Sequence, residues 1–179
     1  MTTQELSTEA SSKKKIYFFI GGVFLLSIFS FWFTNQDYFT SIVQPLLNVY
    51  TKISSFILNL FGYETSARNE ILSSPEFSLE VKKGCDAVAP MILYTLSILF
   101  FPSPFKGKMK AIGIGIFWLF LLNIVRIVTL FFTKKYYPAS FDFVHTELWQ
   151  IMFIVFTLFL WLRWLKGHIA KNPETHEAA

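Results

Sequence analysis

The run "MKAIGIGIFWLFLLNIVRIVTLFF", Met109 to Phe132, contains no acidic residue and, beyond its second position, a single charge, Arg126. A hydrocarbon core of about 30 Å is crossed by a helix of about 20 apolar residues. Only a helix or a closed barrel satisfies every backbone group without water. Three further runs have this character: "IYFFIGGVFLLSIFSFWF" from Ile16 to Phe33, "CDAVAPMILYTLSILFF" from Cys85 to Phe101, and "LWQIMFIVFTLFLWLRWL" from Leu148 to Leu165. Hydrophobic residues make up 53% of the 179, with 22 Phe and 5 Trp, more than a water-soluble domain of this length can hide. The expected fold is therefore all-α: a multi-pass membrane helix bundle with four transmembrane helices.

The first run follows Lys13, Lys14 and Lys15 as a signal peptide would. Its apolar core is too long for one, however, and no small-x-small cleavage site comes after it, so it reads as a retained signal anchor. Between Ile42 and Phe61 the pattern changes: Gln44, Asn48 and Lys52 recur every fourth residue beside Leu46, Leu47, Val49, Ile53, Phe56 and Ile57. Lys52 would stand near mid-membrane if this segment crossed, at roughly 3 kcal/mol on insertion scales. The expectation is an amphipathic helix on the outer leaflet. The "PSPFKGKMK" turn, with Lys106, Lys108 and Lys110, is expected on the cytoplasmic side.

The predicted organisation is then a cytoplasmic tail (1–15), the anchor (16–33), an extracytoplasmic helix and loop (34–84), a transmembrane core (85–166) and a second cytoplasmic tail (167–179). Lys134 and Lys135 fall on the outer side in this arrangement, against the usual bias. The net charge of +4 comes from clusters flanking apolar runs and not from a basic face with interleaved aromatics, so nucleic acid is not an expected partner.

Arg126 is the costliest residue in the sequence, because a guanidinium inside a span demands a partner, a wet cavity or a purpose. It sits roughly 10 Å below the outer end of its span. Asn123 shares its face, placed to hydrogen-bond the guanidinium or hold it. Cys85 opens one span and His145 precedes another, so three distant stretches bring thiol, guanidinium and imidazole to one leaflet. A thiol becomes a nucleophile as its thiolate, which a helix N-terminus and a cation both favour. An imidazole takes and returns a proton near neutral pH. A fixed guanidinium stabilises an oxyanion in a low-dielectric site.

Each residue also has a plain structural reading. Arg126 can snorkel and anchor its helix. A lone cysteine at a membrane boundary is commonly packing, and His145 beside Trp149 can belong to an interfacial aromatic belt. Asp86 opposes thiolate formation unless it caps the helix and faces away. Glu147 and Gln150 read as interfacial groups or supports, and Gly113 and Gly115 as points of close helix contact. One cysteine and three histidines exclude an intramolecular disulfide and a structural zinc of usual spacing, so no metal or cofactor is expected.

"GCDAVAPMILY", "LLNIVRIVTLF" and "FDFVHTELWQ" resemble, in order and spacing, the three blocks of the exosortase/archaeosortase family. The "HTELWQ" block and the short length are most similar to exosortase H. Asp86 stands where an Asn or Ser is expected. The resemblance covers about residues 80 to 166. It implies a multi-pass cysteine peptidase or transpeptidase of the bacterial inner membrane, acting near its outer face on secreted proteins. Their C-terminal tails carry a short motif, an apolar helix and a basic end. It implies Cys85 as nucleophile, His145 as proton-transfer residue and Arg126 as transition-state stabiliser, with Asn123, Asp86 and Glu147 in support. The bilayer is the other partner. The competing reading is a non-enzymatic assembly or scaffold subunit in which Arg126 pairs with a partner's carboxylate. A small transporter is weakened because only one span carries a deep charge.

Overall fold

In the computed structural model the described residues are 20–26, 28, 32, 36–82, 84–101, 103 and 105–171. The predicted tails at 1–15 and beyond residue 171 lie outside them. Of the predicted anchor helix, residues 20–26, 28 and 32 are described, and they are helical. The rest of the chain is built from α1 (Asp37–Leu60), three short strands β1 (Ser66–Arg68), β2 (Ile71–Ser73) and β3 (Ser78–Glu80), α2 (Val88–Phe100) and α3 (Phe105–Tyr136). A 3₁₀ turn (Pro138–Ser140) leads to α4 (Phe141–Phe143), a π-helical turn (Val144–Leu148) and α5 (Trp149–Lys171).

Among the described residues, two helical segments are long and apolar enough to cross a membrane: Gly107–Tyr136, 30 residues, and Pro138–His168, 31 residues. The span expected over Cys85–Phe101 starts its helix only at Val88. At 13 residues it measures about 20 Å, short of a full crossing. Two of the four expected transmembrane helices thus have the length and composition of spans.

The chain is mostly helical, but it is not all-α, because residues 66–80 form an antiparallel sheet in the order β1-β2-β3. Leu72 pairs with Ala67 on one side and with Leu79 on the other, and the two leucines turn inward. Asn69 takes the left-handed conformation that a tight hairpin needs (φ 54°).

The polar-striped segment forms the expected amphipathic helix, and its apolar face is covered by another helix. Residues Val43, Leu47, Tyr50, Ser54 and Leu58, spaced by three and four, bury one face of α1. Tyr50 stacks on Phe120, at the middle of α3, with ring centroids 4.8 Å apart. Beyond the helix, Tyr63 meets Phe131 and Phe132, and its hydroxyl bonds that of Tyr136 at 2.9 Å. These contacts advance together along both helices, so α1 runs beside α3 in the same direction and does not lie flat across its end. The physical reason is the apolar stripe, which finds a helix to pack on. Lys52 and Gln44 stay on the exposed face.

Helices α2 and α3 run antiparallel. Gly115 permits their contact, since a Cβ there would stand 1.9 Å from the Tyr94 ring, while the Tyr94 hydroxyl donates to the Ala111 carbonyl at 3.1 Å. Gly113 faces open space and makes no such contact. At the end of α2, Lys108 donates to the carbonyls of Leu99 and Phe101 at 2.8 and 2.7 Å, groups the helix itself leaves unpaired.

Candidate functional site

Residues 84–87 form a tight turn between the sheet and α2. Gly84 has φ 93° and Ala87, a residue with a Cβ, has φ 58°, so the backbone is held in the left-handed region twice within four residues. Asp86 stabilises this shape. Its Oδ1 accepts the Val88 N–H at 2.9 Å and its Oδ2 accepts the Gly84 N–H at 3.3 Å. The carboxylate is thus spent on both sides of the turn, including an amide at the head of α2. Between these anchors the Cys85 N–H bonds the Lys82 carbonyl at 2.9 Å, and the side chain points into the bundle.

The Cys85 thiol meets the imidazole. Sγ and His145 Nε2 are 2.9 Å apart, a contact that joins residues sixty positions distant in the chain. Nε2 can accept the thiol proton in the tautomer protonated at Nδ1. The ring lies flat on Phe141, 5° from parallel at 5.7 Å, and Phe141 carries Lys134 on its ring at 4.9 Å. That stack fixes the plane in which Nε2 is presented.

His145 owes its place to the π turn. The Trp149 N–H reaches back five residues to the Val144 carbonyl, so the His145 carbonyl is not taken by the usual i+4 donor. It accepts instead from Arg126 Nη2 at 3.2 Å. Arg126 Nη1 reaches the Gly84 carbonyl at 3.4 Å, and the guanidinium carbon lies 5.7 Å from the centre of the Phe153 ring. One guanidinium therefore braces the cysteine turn against the histidine turn. It is 8% exposed, and its Nε–H has no partner among the described residues.

Asn123 does not bond the guanidinium. It is fully buried and donates from Nδ2 to the Cys85 carbonyl at 2.8 Å, holding the thiol-bearing residue from below. The buried Tyr50 of α1 adjoins Asn123, which puts α1 underneath the site. Glu147 is exposed and lines no part of the cavity; Gln150, one turn further on, does.

The cavity holds about 670 Å³ and lies between α2 and α5, with Cys85, Arg126 and His145 in its wall. Below them it continues past Pro90 and Leu93 on one side and Phe153 and Thr157 on the other. Pro90 sits in the first turn of α2, where its missing N–H costs nothing. From His145 to Thr157 the α5 wall descends about 18 Å.

Cys85 lies outside the spanning helices. Burial pushes its thiol up, the Arg126 charge pulls it down and Asp86 adds a smaller push upward. The resting site therefore favours a thiol hydrogen-bonded to imidazole over a free thiolate, and a thiolate would form there by proton transfer to His145.

Of the residues singled out in the sequence, the structure brings together Cys85, His145, Arg126, Asn123 and Asp86 and leaves Glu147 apart. Sequence reasoning missed Gly84, Ala87, Tyr50 and the π turn. Gly84 was legible as the glycine ahead of the cysteine, and the others left no signal.

A family model described as transmembrane exosortase matches residues 12–167 of the chain. Neither the curated proteins nor the solved structures gave a match.

Proposed function

The chain belongs to the transmembrane exosortase family and is a membrane protein, and from that premise we propose that it is a cysteine transpeptidase or peptidase that cleaves the C-terminal sorting tails of secreted proteins. The observation that carries this reading is the 2.9 Å contact between Cys85 Sγ and His145 Nε2 inside a cavity braced by Arg126. A packing cysteine has no need of an imidazole, and an anchoring arginine has no need to bridge the backbones of a cysteine and a histidine turn.

The chemistry is set by the groups in place. His145 Nε2 takes the proton from Sγ as sulfur attacks the scissile carbonyl, forming the C–S bond and pushing the carbonyl electrons onto oxygen. Arg126, held beside the thiol by two carbonyls, supplies positive charge to that oxyanion. Collapse breaks the C–N bond, and the imidazolium returns its proton to the leaving amine. The thioester on Cys85 is resolved by water or by an acceptor amine, with His145 again taking the proton.

An apolar helix on the substrate would pack along the open side of the cavity between α2 and α5, with the recognition motif at Cys85. The three-strand sheet and the end of α1 form the cover over that motif. The site stands at the outer face of a bacterial inner membrane. Asp86, Asn123 and Arg126 position the turn that carries the nucleophile.

Intact-mass analysis of membrane and secreted proteins from wild-type and Cys85→Ala cells tests the reading. Longer, uncleaved proteins are expected to accumulate in the variant's membranes. Identical masses in the two strains would overturn it.

A further inference from the structure

A second large cavity, of about 600 Å³, opens at the opposite end of the bundle, between the first turns of α3 and the last turns of α5. Trp118, Phe156, Leu160 and Trp164 give it apolar walls, and Lys110 and Arg163 line it nearer the helix ends. Gly107 and Gly167 also line it. At both, nothing lies within 4 Å of where a Cβ would stand, so the rim is bare backbone.

Among the described residues the charge here is one-sided. Lys108, Lys110, Arg163 and Lys166 gather at this end, yet the sequence has no acidic residue from Ala87 to Phe141 or from Leu148 to Pro173. No carboxylate on α2, α3 or α5 can neutralise Lys110 or Arg163. Lys108 is engaged with the carbonyls that end α2, which leaves Lys110 and Arg163 as the cations lining the cavity. The first amides of α3, free of intrahelical acceptors, add their own positive field.

We propose that this groove binds one phospholipid with an anionic headgroup, its phosphate between Lys110 and Arg163 and an acyl chain along the aromatic wall. Cations favour the phosphate, and indole and phenyl faces favour the chain. A soluble phosphate would leave those walls uncovered, and a neutral protein helix would leave the two cations unpaired. The inference uses the membrane setting alone and is independent of the peptidase chemistry at the other end.

Native mass spectrometry of the full chain in detergent, with dioleoyl-phosphatidylglycerol or dioleoyl-phosphatidylcholine added in turn, provides the test. The wild-type protein should retain the anionic lipid at least about tenfold more than the zwitterionic one. Lys110→Gln with Arg163→Gln should remove that preference, and Lys166→Gln, exposed outside the groove, should keep it. Gly167→Trp, which fills the groove without changing charge, should lower retention of both lipids and guards against a double variant that fails to fold. Equal retention of the two lipids by the wild type overturns the proposal, as does a preference that survives the double change. Loss of the preference in Lys166→Gln would show diffuse surface charge. Displacement of the lipid by glycerol phosphate would show a site for soluble phosphate. A doubled mass in place of a lipid adduct would show a second copy seated there. Each of these results also counts against it.

Discussion

Among its described residues, helix α3 carries two buried cations, Lys108 at 7% exposure and Arg126 at 8%, about 27 Å apart along its axis. Both donate to a pair of backbone carbonyls, and by burial and hydrogen bonding alone they look alike. Lys108 binds the last carbonyls of α2, and neither cavity includes it. Arg126 binds carbonyls from two separate turns, and those turns carry a thiol and an imidazole in the wall of a cavity. A buried cation is therefore no mark of chemistry by itself. The two ends are distinguished by the company the carbonyls keep.

The comparison breaks most cleanly at the reactive end. Cys85→Ala should abolish tail processing altogether, measured as the disappearance of shortened products by intact mass, while membrane insertion persists. His145→Gln keeps volume and polarity but cannot shuttle a proton. It should slow processing by about 10²–10⁴-fold in a pulse-chase of precursor. Arg126→Lys tests whether the planar fork matters. A single ammonium cannot hold both carbonyls and an oxyanion, so a loss of about 10²–10³-fold is expected, and near-normal processing would reduce Arg126 to an anchor.

The other end should respond in stability instead. Lys108→Met leaves two carbonyls at the end of α2 without their donor. It should cost about 1–3 kcal/mol, read as a lower unfolding temperature in detergent with unchanged alkylation of Cys85 in the folded state. A processing defect at full stability would erase the distinction between the two cations.

The finest probe is Asp86→Asn. Removing the carboxylate charge removes one of the influences that push the Cys85 thiol up. The midpoint of thiol alkylation against pH should therefore shift to lower pH. An upward shift, or none, would mean that the bonds to Gly84 and Val88 matter to the thiol more than the charge does.

The grouping of Cys85, Arg126 and His145 was legible because these are residue types that are costly in lipid. A guanidinium in an apolar run, one thiol and one histidine at span boundaries announce themselves without any knowledge of packing. The partners of those groups were less legible. Asn123 was placed on the face of Arg126 by helical spacing, but its amide turns to the Cys85 carbonyl, a choice made by the backbone of a distant turn. Glu147 stood two residues from His145, and the π turn directs it out of the cavity. The strands at 66–80 have three residues each, too few for alternation to be read. Asn69 in its hairpin was the one local cue. The packing of α1 was less legible: Lys52 was weighed as a cost of crossing, while the buried stripe from Val43 to Leu58 was not weighed as a surface seeking α3.

The π turn at Val144–Leu148 makes segment length a determinant of the contact between Cys85 and His145. Each residue in a helix is turned about 100° from its predecessor, so one deletion in this turn would let an ordinary α turn form and rotate His145 away from Cys85 relative to the α5 wall. Among variants of this chain, tolerance to gain or loss of a single residue should fall to its minimum here, in a stretch that no glycine or proline marks.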